Sequence, residues 1–428
     1  MGSSLKREIG LFEAIGFGVG IILGAGIYAL IGPAAEMAGN ALWMSFVLGA
    51  IISSFTGLSY AELSTMFPEA AAEYVYAKKA FGKELWAFLL GWLIIFAGAV
   101  SVSTVAIGFS GYLRSFIDMP TSVTALLLIG MLSFLNFLGI EESSRVNIMF
   151  TAIEVAGLAL IIFLGLGRFP NVDYLASPTG LQGIFAGAAL IFFAYLGFED
   201  IVNIAEEIED PQKNIPRALI FSIIVATVFY VLVAVSAVSL ADWRILGGSD
   251  APLAYAASTV LGGNAFFVLS IIALFATANT VLILLMVGSR MVYGMARDGS
   301  LPKIFSIVHE ERGTPWIAIV AVMLLSMLFA AIGDIRLIAG VTNFATFTIF
   351  ALVNLSLLSL RYKQPDLERP FKVPFNIGRF PVVAFLGVAS CIFFVFHIDL
   401  LAVMIGFLAL VGGVLMYGIL NLKKIVEK

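Results

Sequence analysis

Long apolar runs constrain the fold of this chain more than any other feature. A helix crosses the hydrocarbon core of a bilayer with roughly 17–25 predominantly apolar residues. The runs cover residues 11–34, 41–65, 85–113, 121–139, 144–167, 182–205, 216–240, 263–296, 315–333, 337–360, 380–397 and 400–421. The sequence therefore predicts an all-α polytopic membrane protein with twelve transmembrane helices.

Lysine and arginine are distributed unevenly among the gaps between these runs. All but four of the 24 basic residues fall in one alternate set of gaps, which also holds both ends of the chain. The four exceptions are Arg114, Arg168, Arg244 and Arg336. Because short basic loops stay on the cytoplasmic side, we predict a multi-pass protein of the cell membrane with both termini in the cytoplasm.

Composition argues against several other classes of protein. Only 12% of the residues are charged, against about 25% in a typical soluble domain. Cys391 is the one cysteine, so neither a disulfide framework nor a cysteine metal site is expected. His309 and His397 are far apart in sequence. We therefore expect a single integral domain over residues 1–428, with no cofactor, resident metal, enzymatic activity or nucleic-acid partner.

Two of the apolar runs are interrupted. The first carries five glycines between Gly16 and Gly26, and the sixth places Gly197 before Glu199 and Asp200. Glycine costs about 1 kcal/mol relative to alanine in a helix interior, and an acid near the centre of a membrane helix costs about 2.5–3.5 kcal/mol. Interrupted helices at corresponding places in two oppositely oriented halves indicate an inverted repeat with a binding site near the midplane. Close helix packing is the alternative for each glycine taken singly.

Six stretches of sequence stand in a fixed order beside the predicted helices. They are GIILGAGIYA (20–29), SYAELSTMFPEAAAEYVYAKKAFG (59–82), FFAYLGFED (192–200), EEIEDPQKNIPRA (206–218), SRMVYGMARDGSLP (289–302) and RYKQPDLERPFKVP (361–374). Together they resemble the amino acid–polyamine–organocation transporters, and within them the cationic-amino-acid-transporter-like permeases. The resemblance implies a LeuT-type 5+5 inverted repeat of residues 11–167 and 182–360, with two further helices at 380–421.

The resemblance also implies a site for the carboxylate of an amino acid substrate. A break at Gly24, Ala25 and Gly26 would leave free backbone N–H groups at the start of a second half-helix. The dipole of that half-helix also favours an anion at its N-terminus. By resemblance, these three residues hold the substrate carboxylate.

The break in the sixth run would expose acceptors for the substrate ammonium. By resemblance, these are the backbone carbonyls of Phe193, Ala194 and Leu196. Phe193 and Phe198 are candidates for an aromatic gate over the substrate, with ordinary packing as the alternative.

Glu154 lies near the middle of the fifth run, among apolar neighbours. Asn147 and Thr151 share its helix face at spacings of seven and three. An intramembrane acid is a functional candidate, and several proton-coupled relatives carry a lysine at this position. Because a desolvated glutamic acid can load and release a proton, we expect Glu154 to be the coupling group.

Two alternatives for Glu154 remain open. With helix 1 carbonyls near Gly20 and the hydroxyls of Thr277 and Thr280, its carboxylate could bind sodium, since hard cations take oxygen ligands. It could also be a buried acid with a structural role alone. Glu199 matches an acidic position of the family and is a second candidate for ion coupling, with capping of the second half-helix as the equal alternative. For Asp200, capping is favoured.

These observations predict a secondary transporter for amino acids that works by alternating access, with proton coupling favoured. An amino acid exchanger, a polyamine permease and a sodium-coupled symporter are the alternatives. A channel is disfavoured, because two broken helices around one site suit alternating access.

Overall fold

A computed structural model describes residues 9–68, 72–138, 144–205 and 207–426 of the 428-residue chain. Two basic residues of the charge pattern, Lys6 and Arg7, lie outside these residues. Glu206, the first residue of the stretch 206–218, and the side chain of Asn147 also lie outside them.

The described chain is mainly helical. In chain order the helices are α1 (Leu11–Ile22), α2 (Ala25–Ala38), α3 (Leu42–Met66), α4 (Ala72–Phe81), α5 (Glu84–Leu113), α6 (Thr121–Phe137), α7 (Ser144–Gly165), α8 (Leu181–Ile191), α9 (Asp200–Asn203), α10 (Pro211–Leu240), α11 (Trp243–Gly248), α12 (Pro252–Leu261), α13 (Gly263–Arg297), α14 (Trp316–Ala330), α15 (Ile335–Lys363), α16 (Val382–Val395) and α17 (Leu400–Val426). Short 3-10 segments cover Gly39–Ala41, Leu166–Asn171, Phe192–Tyr195 and Lys303–Ser306. Strands β1 (Asn376–Ile377) and β2 (Phe380–Pro381) form an antiparallel pair.

Each apolar run of the sequence contains a helix, and the two interrupted runs contain broken ones. The first run is divided between α1 and α2, and the sixth between α8 and α9. Among the described residues, eight segments are long and apolar enough to cross a membrane, and shorter apolar helices of 10–17 residues accompany them. A polytopic, mainly helical membrane protein is thus confirmed. The count of twelve spans, the 5+5 arrangement and the repeat boundaries stay predictions.

The helices pack in two groups. In the first, α3 packs mainly on α10 and α8, and α10 also covers α1. In the second, α5 packs mainly on α13, α15, α14 and α6. The broken helices belong to the first group, where α2 packs on α8. The two halves of the sequence are therefore interleaved in space, which brings the two interruptions together.

Three of the four exceptional arginines lie together at one end of the bundle, as the charge pattern predicts. Arg114 pairs with Asp250 at 2.9 Å, and Arg336 pairs with Glu36 at the end of α2. Arg244 lies in α11, the helix that packs on α2. Both ion pairs are well exposed, so each contributes about 0–1 kcal/mol. We call this end the outer end; its orientation toward the outside of the cell stays a prediction.

Candidate functional site

The first interruption leaves the N–H groups at the start of α2 outside the hydrogen bonding of the helix. Helix α1 ends at Ile22, Gly24 is extended with ψ −158°, and α2 begins at Ala25. The first N–H groups of a helix have no acceptor within it. The N–H of Ala25 points to the Thr280 hydroxyl of α13 at 3.4 Å. Ala25 and Gly26, predicted as part of the break, are thus the first residues of the second half-helix.

The small residues at this interruption are required by close contacts. A Cβ atom on Gly26 would lie 2.8 Å from the Cα atom of Ala194, in the second interruption. A Cβ atom on Gly24 would lie 3.2 Å from the carbonyl oxygen of Ile21 and 3.4 Å from the Thr280 hydroxyl oxygen. The two interruptions therefore touch, with backbone against backbone.

The second interruption is a 3-10 turn followed by two residues of non-helical backbone. Phe192–Tyr195 form the turn, Leu196 is extended, and Gly197 has φ +109°, which favours glycine. A Cβ atom on Gly197 would also collide with the Ile21 side chain. The carboxylate of Glu199 accepts a hydrogen bond of 2.9 Å from the Gly197 N–H. Glu199 therefore stabilises the interruption itself, and it makes no side-chain capping bond to α9.

Two of the predicted ammonium acceptors already receive hydrogen bonds. The Phe193 carbonyl accepts from the Leu196 N–H at 3.3 Å, and the Ala194 carbonyl accepts from the Tyr230 hydroxyl at 2.7 Å. The Tyr230 hydroxyl, which has one proton to donate, also lies within hydrogen-bond distance of the carbonyl oxygen of Ile22, at the end of α1. A carbonyl oxygen has two lone pairs, so each of these acceptors keeps capacity for a substrate ammonium.

Tyr230 was not predicted from the sequence. It projects from α10 and bridges the broken ends of both interrupted helices, while its ring packs on Phe46 and Tyr195 at centroid distances of 5.2 Å. A buried tyrosine hydroxyl usually finds a hydrogen-bond partner. The presence of a tyrosine within the apolar run 216–240 was the only sequence feature that could have identified it.

The two candidate gate residues have different surroundings. Phe198 is fully buried in an aromatic cluster with Tyr60 and Phe350, at ring centroid distances of 6.1 and 5.4 Å. These ring contacts are consistent with packing, and the role of Phe198 as a gate stays a prediction. Phe193 is 6% exposed within the 3-10 turn, and its role as a gate stays a prediction.

Glu154 is buried in α7 beside the second half of the first broken helix. Its backbone carbonyl accepts a hydrogen bond of 2.8 Å from the Tyr28 hydroxyl of α2. Its side chain is 3% exposed, and one carboxyl oxygen has no hydrogen-bond partner among the described residues. An acid with spare hydrogen-bonding capacity therefore lies beside α2, the helix that begins at the first interruption.

The other candidate ion ligands are only partly brought together. A Cβ atom on Gly20 would lie 3.1 Å from the Thr151 side chain of α7, one turn from Glu154. The Thr277 hydroxyl donates to Ala273 at 2.7 Å and the Thr280 hydroxyl to Ala276 at 3.0 Å, both within α13. Thr280 reaches the first interruption, whereas Thr277 is buried one turn earlier. Within the described ranges, no cluster of three or more His, Cys, Asp or Glu side chains has the geometry of a metal site.

Comparison with known proteins places the chain among transporters. The sequence profile described as "Amino acid permease" matches residues 9–422. A branched-chain amino acid permease of Bacillus subtilis is 31% identical, over 97% of this chain and 93% of its own length. A methylthioribose transporter of the same organism is 29% identical over 92% and 89%, respectively. A vacuolar cationic amino acid transporter 2 of Arabidopsis thaliana is 30% identical over 86% of this chain and 62% of its own length.

Proposed function

The chain belongs to the amino acid permease family, and from that premise we propose that it is a secondary transporter that carries amino acids across the cell membrane by alternating access. The contact between the two interruptions, where a Cβ on Gly26 would reach Ala194, is the observation that carries this proposal. It puts the free donors of one broken helix and the carbonyls of the other within reach of one small molecule. A zwitterion needs both.

The substrate carboxylate is received by the N–H groups at Gly24, Ala25 and Gly26. The positive end of the α2 dipole supports an anion there. The N–H of Ala25 exchanges its long bond to Thr280 for a charge-assisted one. The ammonium is received by the carbonyls at Phe193, Ala194 and Leu196, with Tyr230 holding the Ala194 carbonyl in place.

The preferred substrates are neutral aliphatic amino acids. The acid nearest the second interruption, Glu199, is engaged with the Gly197 N–H, and Glu154 lies behind α2 on α7. Each carboxylate thus already has another part in the site, so neither is assigned to a cationic side chain of the substrate. The branched-chain permease of Bacillus subtilis, similar over nearly the full length of both chains, supports the same choice. Cationic amino acids and polyamines are the alternative substrates. The similarity to the Arabidopsis cationic amino acid transporter supports the first of these alternatives.

Transport is coupled to a proton through Glu154. Its carboxyl group is buried, and one of its oxygens has no hydrogen-bond partner in the described part of the chain, which suits a group that changes its protonation during the cycle. Sodium coupling through Glu154, Gly20, Thr277 and Thr280 and obligatory amino acid exchange are the alternatives.

Counterflow in liposomes tests the proposal. Purified protein is reconstituted with unlabelled leucine inside and labelled leucine outside, and we expect transient accumulation of label. An imposed inward proton gradient should drive net uptake without a sodium gradient. Arginine and spermidine, tested in the same way, should give little accumulation. Equilibration without counterflow would indicate a channel, and counterflow with spermidine but not leucine would indicate a polyamine permease.

A further inference from the structure

Two of the six sequence stretches that carry the family resemblance meet at the end of the bundle opposite Arg336. Residues 59–82 contribute Glu62 of α3, which is completely buried. Residues 361–374 contribute Arg361 and Arg369. One Glu62 oxygen accepts a hydrogen bond of 2.7 Å from Arg361, and the other lies 3.3 Å from Nε of Arg369. The proposed transport mechanism assigns no role to this cluster.

Arg369 also closes the end of α15. Its guanidinium donates to the carbonyl oxygens of Leu360 and Gln364, at 3.2 and 2.8 Å, and to those of Pro365 and Leu367, at 3.0 and 2.7 Å. The last carbonyls of a helix have no donor within it. Arg369 therefore donates hydrogen bonds to carbonyl oxygens at the end of α15 and at the same time forms an ion pair with Glu62.

The segment that follows returns to the same carboxylate. The N–H of Val373 donates a hydrogen bond of 2.9 Å to Glu62, and the N–H of Phe371 points to the Thr65 hydroxyl of α3 at 3.4 Å. One carboxylate thus accepts hydrogen bonds from the last turn of α15 and from the chain beyond it, and it forms an ion pair with the arginine that caps this helix. This concentration of donors makes Glu62 the centre of the cluster.

The cluster crosses between the two packing groups. Helix α3 packs mainly on α10 and α8, and α15 packs mainly on α5 and α16, while α15 and α16 also contact α3 directly. At the outer end, α15 is tied to the first group by Arg336 and Glu36, whose side chains are 39% and 46% exposed. At the inner end, the side chains of Arg361 and Glu62 are 9% and 0% exposed. An exposed pair is readily replaced by water, whereas separating a buried pair leaves unpaired charges.

We propose that Glu62, Arg361 and Arg369 form a permanent joint that keeps the inner ends of α3 and α15 together in every state of the transport cycle. This inference rests on the proposed transport function. At the outer ends of α2 and α15, the exposed pair of Glu36 and Arg336 breaks when these ends separate. Relative motion of the two packing groups is then a rotation about the joint.

Distances between pairs of spin labels test the joint. In a protein with Cys391→Ser, one pair is placed at Met66 and Tyr362, at the inner ends of α3 and α15. A second pair is placed at Met37 and Leu337, at the outer ends of α2 and α15. Glu36→Gln and Glu62→Gln are the matched variants, since each removes one carboxylate that binds an arginine of α15.

Glu36→Gln should add a longer distance at the outer pair and leave a single distance at the inner pair. Glu62→Gln should broaden the inner distribution. A second inner distance in Glu36→Gln, or an unchanged inner distribution in Glu62→Gln, would overturn the joint. If Glu62→Gln does not fold, the inner distance measured in Glu36→Gln still decides whether the joint stays closed when the outer ends separate. None of these distances requires substrate, so absence of leucine counterflow would reject the proposed function and leave the test of the joint intact.

Discussion

The Tyr230 hydroxyl donates a hydrogen bond of 2.7 Å to the carbonyl oxygen of Ala194, in the middle of the second interruption. The same hydroxyl reaches the carbonyl oxygen of Ile22 at the first interruption. A side chain of a third helix thus sets the separation of two pieces of backbone that we propose receive the substrate.

Tyr230→Phe should weaken leucine binding roughly two- to tenfold, because one neutral hydrogen bond contributes about 0.5–1.5 kcal/mol. The ring contacts with Phe46 and Tyr195 remain. Tyr174→Phe is the matched control, since Tyr174 lies in neither interruption and its hydroxyl donates to the carbonyl oxygen of Phe169. Binding is measured by a leucine-dependent thermal shift, and equal losses in both variants would contradict a specific role for Tyr230.

Gly26→Val should abolish leucine binding or weaken it roughly ten- to hundredfold, the cost of losing a charge-assisted hydrogen bond of about 1.5–3 kcal/mol. The physical cause is the 2.8 Å approach of any Cβ atom to Ala194. Gly16→Val on α1 is the control, because a Cβ atom there meets nothing within 4 Å. Unchanged affinity in a folded Gly26→Val protein would place the carboxylate site elsewhere.

Glu154→Gln should retain counterflow but lose net uptake driven by a pH gradient, because a fixed neutral group cannot release a proton. Both assays use the same liposomes with labelled leucine, and Glu13→Gln on α1, an exposed acid, is the control. Accumulation equal to that of the parent protein would make Glu154 structural. Uptake that depends on a sodium gradient, and loses this dependence in Glu154→Gln, would support sodium coupling instead.

Glu73 should make thermal stability depend on pH. It lies in α4, outside the candidate membrane spans, where burial raises the pKa of its carboxyl group from 4.5 to about 7. Asp200 also raises this pKa, and the hydrogen bond from the Tyr60 hydroxyl, at 3.1 Å, lowers it.

Since the folded state holds this proton more tightly, the contribution of Glu73 is complete below pH 4.5 and is lost as the pH rises through 7. Glu73→Gln should therefore have a Tm that falls less than that of the parent protein between pH 5 and 8. Parallel Tm curves for the two proteins would show that Glu73 is ionised in the folded state across this range.

The orientation can be tested by labelling from outside the cell. A cysteine at Ile332, which is 46% exposed at the outer end, should react with an impermeant maleimide, whereas one at Gln364 should not. Ile332 is preferable to Asp334, because the Asp334 side chain caps α15 by accepting from the N–H groups of Arg336 and Leu337. The reverse pattern of labelling would invert the predicted topology.

The elements themselves follow from local sequence. The length of each apolar run predicts a helix, and Gly24 and Gly197 mark the two interruptions. Both signals could be read from the sequence because each acts within a few residues of the chain. The alternation of basic residues likewise placed Arg114 and Arg336 at the same end of the bundle. The order of the helices along the chain is enough for this, because each successive membrane crossing changes the side of the membrane.

The contacts of the site were decided by tertiary structure. Tyr230 reaches Ala194 over 36 residues of sequence and Ile22 over 208, and whether a side chain reaches them depends on how α10 is rotated against α1 and α8. The apolar pattern of a membrane helix does not specify that rotation, because lipid-facing and buried positions are both apolar. For the same reason, the sequence could single out Glu154, Phe198 and Glu199 but not their contacts. Packing determined that one carboxyl oxygen of Glu154 has no hydrogen-bond partner among the described residues, that Phe198 lies among aromatic rings and that Glu199 binds the Gly197 N–H.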